Sequence, residues 1–98
     1  MTNRRHLAQD IVNKIKNGNL SNEKERSSVC NQLRSAGIVP HMHVVANRGQ
    51  QLLNMLNWSS DKYIEYILGQ ILYVLLNPTR KFDKELAYHR KNLLTHCK

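Results

Sequence analysis

Histidine and cysteine are typical zinc ligands, and the chain has five histidines and two cysteines. The tightest group is His41-Met42-His43. On a helix, side chains two positions apart point about 200° apart, so these two histidines cannot share an ion there. Zinc sites have close Cys or His pairs on both sides of a loop. The remaining candidates do not have this spacing: Cys30, His89, His96 and Cys97. The sequence therefore predicts surface histidines, no metal site and no cofactor.

Catalytic motifs are also missing from the sequence. It has no Gly-rich phosphate loop, no H-E-x-x-H pair and no G-x-S-x-G elbow. Cys30 falls on the inner face of a predicted helix, where a thiol usually acts as a small buried hydrophobe. Most of the seven carboxylates fall near predicted helix starts, where the helix dipole favours them. We therefore expect a protein that is not an enzyme.

The cysteines and the N-terminal residues give a prediction of the cellular compartment. Cys30 and Cys97 have no redox spacing, and residues 1–10 contain no apolar signal core. These features predict an intracellular protein, cytoplasmic or nuclear, with both thiols free.

Positive charge is the most informative chemical feature, with 15 Lys and Arg against 7 Asp and Glu. A net charge of +8 favours an acidic partner, which can be a nucleic acid, an anionic membrane surface or an acidic protein face. A charge that serves solubility alone is the simpler alternative. The candidate partner-binding residues are Arg4, Arg5, Lys14, Lys16, Arg48, Arg80, Lys81, Lys84, Arg90 and Lys91. If the first and last helices pack side by side, most of these form one patch.

Nucleic-acid binding needs more than a cluster that contacts phosphates. Reading bases requires a helix that enters a groove or exposed aromatic rings for stacking. Arg48, Gln50 and Gln51 are weak candidates for base contacts. Tyr88 lies in the basic last helix, but a position half covering the core explains it better. Nucleic acid is therefore the alternative partner.

Residues 63–76 are the stretch that positions the other elements. They are apolar nearly throughout, with Glu65 and Gln70 as the strongly polar exceptions. A helix that is apolar most of the way round is surrounded by other helices. A buried strand is disfavoured because strands usually run four to eight residues, and a bilayer span needs about 20 apolar residues. We predict a central helix with Ser59 as its N-cap and Asp61 in its first turn.

The remaining helices follow from apolar spacing and from helix-ending residues. Leu7, Ile11 and Ile15 recur every four residues and define the first helix. Gly18 ends that helix, and Pro78 separates the central helix from the last. Besides the central one, helices are predicted over residues 4–17, 21–36 with Ser21 as N-cap, 40–46, 50–57, and from an Asn77 or Thr79 cap to about Leu94. The prediction is a single domain over residues 1–98, all-α, a compact six-helix antiparallel bundle with a buried fifth helix. A Pro78-kinked helix pair in a dimer is the competing architecture.

The order of these elements resembles the caspase-recruitment domains of the death-fold superfamily. The segment V-C-N-Q-L-R-S-A-G-I-V-P-H-M-H-V-V-A-N, residues 29–47, carries the resemblance, followed by residues 48–56 and 61–72. The resemblance implies homotypic docking of a basic face on the first and fourth helices against an acidic face of a partner. Here that implied face consists of Arg4, Arg5, Lys14, Lys16 and Arg48.

The leading hypothesis is a non-enzymatic interaction module that docks through a basic surface onto an acidic protein face, including self-association. The alternative is a small basic nucleic-acid-binding protein, a regulatory or viral factor, that contacts phosphates through the same patch. A third hypothesis is a homodimer formed through an exposed apolar stripe on residues 63–76.

Overall fold

The computed structural model describes residues 4–41 and 59–96. Within these ranges the chain forms four α-helices and no strand. The helices are α1 Arg4–Lys16, α2 Glu23–Ser35, α3 Ser60–Leu76 and α4 Phe82–His96, with a 3-10 turn at Asn19–Ser21. The radius of gyration is 12.7 Å, close to the roughly 12.6 Å of a compact chain of this length. The predicted compact all-α fold is confirmed.

The six-helix count is not confirmed. The predicted helix over 50–57 lies outside the described residues, as do Arg48, Gln50 and Gln51. The predicted start of a helix at Pro40 is wrong, because Pro40 and His41 are not helical. Instead the His41 amide donates to the Gly69 carbonyl of α3 at 3.0 Å, so the chain crosses α3 at this point. The rest of the predicted third helix is also outside the described residues.

The helix α3 is the centre of the described fold. Ser59 caps it as predicted, since its Oγ accepts from the Lys62 amide at 3.2 Å. Most of its length is buried, including the polar Gln70, and it packs against α1, α2 and α4. The prediction of a surrounded central helix is confirmed. This burial leaves little of the exposed apolar stripe that the third hypothesis, a dimer through residues 63–76, requires.

The cap of α2 differs by one residue from the prediction. Asn22 is the N-cap, because its Oδ1 accepts from the amides of Lys24 at 2.8 Å and Glu25 at 3.4 Å. Ser21 was the wrong choice, since its Oγ donates to the Gly18 carbonyl at 2.8 Å. Serine and asparagine both cap helices well. Here Ser21 belongs to the 3-10 turn, so Asn22 is the residue positioned to cap α2.

The end of α2 is a Schellman motif. Gly37 has φ +81, and its amide donates to the Arg34 carbonyl at 3.0 Å while the Ile38 amide donates to the Leu33 carbonyl at 3.0 Å. Ile38 is then buried against the core, whereas 63% of the surface of Val39 is exposed.

The last helix begins later than predicted. The Thr79 Oγ1 accepts from the Lys81 amide at 3.1 Å, and regular helix starts at Phe82. Leu86 and Leu93 are buried. His89 is also fully buried, so the prediction of a surface histidine is wrong at this position. The helical period explains this burial, because residues 86, 89 and 93 share one face, whereas Ala87 is exposed.

Contacts between the helix ends give the helix directions. The first turns of α1 and α3 are joined by Arg5 and Asp61, so these two helices run in the same direction. Arg4 reaches the Ala36 carbonyl at the end of α2, so α2 runs the opposite way. The start of α4 lies near the start of α2, where the Arg26 guanidinium is 5.8 Å from the centroid of the Phe82 ring. The four described helices therefore alternate in direction along the chain, and α1 packs against α4.

Candidate basic interaction surface

The cations at the start of α1 form ion pairs. Arg5 Nε donates to Asp61 Oδ1 at 3.0 Å. Arg4 Nη1 lies 3.9 Å from Glu65 Oε2, and its Nη2 donates to the Ala36 carbonyl at 3.5 Å. Because these side chains are 40% or more exposed, each pair contributes about 0–1 kcal/mol. Their effect is to neutralise both arginines and to join α1 to α3 and α2.

The positive charge of Lys14 and Lys16, at the end of α1, is partly neutralised as well. Lys14 Nζ lies 3.4 Å from Glu25 Oε2 and links α1 to α2. Lys16 is exposed and has no ion pair with residues 4–41 or 59–96. Three of the four described cations of the face implied by the death-fold resemblance are therefore used within the chain.

The cations around α4 have a different setting. Arg80 and Lys81 lie in the turn before the helix, and Lys84 and Lys91 lie on its exposed side. None of these four side chains has an ion pair within the described part of the chain. We refer to Arg80, Lys81, Lys84 and Lys91 as the α4 basic row.

The geometry of the α4 basic row follows from the helical period. Lys84 and Lys91 are seven residues apart, so their directions differ by about 20° and their positions by about 10.5 Å along the axis. Arg90 is turned about 100° from Lys91. It is half-buried, and its Nε is buried without a hydrogen-bond partner in the described structure. Arg90 therefore lies at the edge of the row rather than in it.

Two carboxylates accompany the row. Asp83 and Glu85 lie in the first turn of α4, where the helix dipole favours negative charge. Glu85 Oε1 also accepts from the Thr79 hydroxyl at 3.2 Å. Residues 80–91 hold five cations and two carboxylates, so the segment stays positive.

Aromatic side chains do not contribute an exposed stacking surface in the described part of the chain. All four tyrosines and Phe82 are half-buried. The hydroxyl oxygen of Tyr88, the residue considered for base stacking, is buried. The alternative prediction for Tyr88, a residue half covering the core, is confirmed.

Arg26 is a cation whose role the sequence interpretation missed. Its Nη1 donates to the carbonyls of Leu20 at 3.1 Å and Ser21 at 2.9 Å, and its guanidinium lies against the Phe82 ring. It therefore holds the 3-10 turn and the start of α4 together. A cation near the start of a helix is disfavoured by the helix dipole. The position of Arg26 near the start of α2 was therefore the sequence signal that this residue has a structural role.

The thiol and metal chemistry of the described residues is limited. Cys30 is buried with a free thiol. Burial raises the pKa of this thiol, and the opposing effect of Arg34 and Arg26 is smaller. A raised pKa lowers thiolate content and reactivity. No group of three or more His, Cys, Asp and Glu residues in the described ranges is placed to hold a metal ion.

A groove of about 960 Å³ lies along α1 and α2. The residues that line it are mostly polar or charged by type: His6, Leu7, Asp10, Glu23, Lys24, Ser27, Ser28, Asn31, Gln32 and Ser35. No helix in the described ranges is long and apolar enough to cross a membrane.

Comparison with known proteins finds no protein-family model, no curated protein and no solved structure that matches this chain. The resemblance to caspase-recruitment domains therefore stays a prediction. We therefore infer function from the placement of charge and apolar surface described above.

Proposed function

We propose that this protein is a non-enzymatic interaction module that docks a basic surface onto an acidic face of a partner protein. The surface is the α4 basic row, with Lys16 of the neighbouring α1 as a further candidate. The observation that supports it is the contrast between the two ends of the predicted patch. Arg4 and Arg5 have carboxylate partners within the chain, whereas the α4 basic row has none in the described part.

The cations of the α4 basic row repel one another, and attraction to the carboxylates of an acidic partner offsets this repulsion. The same face of α4 also exposes apolar surface, at Ala87 and at Leu94, which is 40% exposed. Protein interfaces combine apolar contacts with polar surroundings, whereas phosphate contacts need cations alone. The half-buried aromatic rings also favour a protein partner over a single-stranded nucleic acid. Homotypic assembly of the death-fold kind is the narrower form of this proposal.

The test is a charge reversal with a matched control. The variant Lys84→Glu/Lys91→Glu changes the row, and Lys24→Glu/Arg34→Glu makes the same change in net charge on exposed positions of α2. We expect a stoichiometric protein complex that the first variant loses and the second keeps. The wild type purified without nuclease should show the absorbance ratio at 260 and 280 nm of a protein free of nucleic acid.

Nucleic acid, the alternative partner, predicts a different experimental result. If the row contacts phosphates, a DNA or RNA fragment will shift in a mobility assay at low salt. That affinity will fall steeply with salt, because each contact releases counterions. Such a shift without a protein complex would refute the proposal in favour of nucleic-acid binding.

A further inference from the structure

The outer side of α4 has a regular pattern of its own. Lys84, Ala87, Lys91 and Leu94 are all exposed, and they are spaced by three, four and three residues. This is the spacing of the a and d positions of a heptad, with lysine at a and an apolar residue at d. On the helical period the four side chains lie within an arc of about 80°. We refer to these four residues as the α4 outer seam.

The α4 outer seam is distinct from the face that packs into the bundle. The inner face consists of Phe82, Leu86, His89 and Leu93, spaced by four, three and four residues and turned about 150° from the seam. A single exposed leucine is common on protein surfaces. Here Leu94 follows Ala87 by one heptad, and two lysines without described ion pairs alternate with them.

We propose that the partner segment is an acidic amphipathic α-helix that packs lengthwise along the α4 outer seam. Its carboxylates lie opposite Lys84 and Lys91, and its apolar side chains contact Ala87 and Leu94. This inference rests on the proposed function and specifies the kind of partner.

The spacing along α4 favours a helix over a strand. The two lysines are about 10.5 Å apart along the axis, which equals seven residues of a partner helix on one face. In a strand, a separation of about 10 Å is three residues. Residues an odd number apart in a strand point to opposite faces, so carboxylates on one face of a strand lie about 6.6 or 13 Å apart and match the lysine spacing less well.

The size of the α4 outer seam sets the expected affinity. The 15 residues of α4 extend about 22 Å and hold two heptads. Such a contact buries less than the roughly 1,200 Å² of a standard stable interface. Lysine at an a position also weakens helix pairing while it fixes the register. We therefore expect a transient complex with a Kd on the order of 10–100 µM at low salt.

The test uses a designed, labelled 21-residue helical peptide as the probe. It carries glutamate at the positions facing the lysines and leucine at those facing the apolar residues, in three heptads. A second peptide has the same composition in a shuffled order. Fluorescence anisotropy should show the ordered peptide binding about tenfold or more tightly than the shuffled one. Lys84→Glu/Lys91→Glu should abolish this binding.

A second pair of variants tests the apolar part of the α4 outer seam. Leu94→Asn removes an exposed apolar side chain without changing charge, and Val39→Asn does the same away from α4. We expect roughly a fivefold or greater loss of peptide affinity for Leu94→Asn, about 1 kcal/mol, and no change for Val39→Asn. Circular dichroism of both variants checks that the fold is retained.

The outcomes separate this inference from the proposed function. If both peptides bind equally well, the helical register is refuted while docking onto an acidic protein stands. If neither peptide binds and a DNA duplex or a phosphatidylserine vesicle does, both proposals fail.

Discussion

The approach of the chain to α3 at Gly69 gives the sharpest test of the fold. A Cβ built on Gly69 would lie 2.5 Å from the Val39 carbonyl oxygen and 2.5 Å from His41 Cδ2. Both distances are far below the roughly 3.5 Å of a favourable non-bonded contact. The variant Gly69→Ala must therefore displace the segment that carries Val39 and His41, and with it the hydrogen bond from the His41 amide to the Gly69 carbonyl.

The expected magnitude combines three effects. Overpacking costs about 1–3 kcal/mol, and loss of the backbone hydrogen bond costs about 0.5–1.5 kcal/mol. The higher helix propensity of alanine returns about 1 kcal/mol. We therefore expect Gly69→Ala to lower the free energy of unfolding by about 1–3 kcal/mol, and the Tm by roughly 4–8 °C per kcal/mol.

Urea denaturation followed by circular dichroism at 222 nm measures this change. Ala87→Gly, at an exposed position of α4, measures the glycine–alanine difference in a helix of this protein without a close contact. In a His41→Ala background the penalty of Gly69→Ala should fall only in part, because the Val39 carbonyl remains close. A Gly69→Ala protein more stable than wild type by about 1 kcal/mol, the propensity effect alone, would refute the crossing.

Three further predictions follow from other elements. Leu72→Ala in the fully buried part of α3 should cost about 2–5 kcal/mol in urea denaturation, whereas Leu76→Ala at the exposed end should cost under 1 kcal/mol; equal losses would contradict the burial of α3. Asn22→Ala should cost about 1 kcal/mol, more than Ser21→Ala, and the reverse order would restore Ser21 as the cap. Burial raises the pKa of Cys30, so the folded state holds this proton more tightly than the unfolded state. Stability should therefore fall as pH rises above about 8.5, and Cys30→Ala should flatten that dependence in denaturation curves measured from pH 7 to 10.

Local sequence signals predicted α3 well. An apolar run without a polar face, a Ser59 cap and a Pro78 stop are all encoded within residues 59–78. Where two good candidates stood side by side, local signals could not choose between them. Ser21 and Asn22 both cap helices, and the 3-10 turn settled the choice by engaging the Ser21 hydroxyl.

The candidate surface was less predictable, because it depends on contacts between distant residues. The net charge and the clustering of cations were visible in the sequence. A single basic patch was predicted on the condition that the first and last helices pack side by side. The pairing of Arg5 with Asp61, 56 residues apart, leaves no local pattern. This pairing shifts the candidate surface from the start of α1 to α4.

The same arrangement of helices has a consequence for how the protein opens. Among the described elements, α3 packs against each of the other three helices, whereas α2 packs mainly on α3 and the 3-10 turn. Local opening follows the elements with the fewest supporting neighbours. In native-state hydrogen exchange, α2 amides should therefore exchange through a partial detachment of α2. Amides in the middle of α3 should exchange only when the whole molecule unfolds.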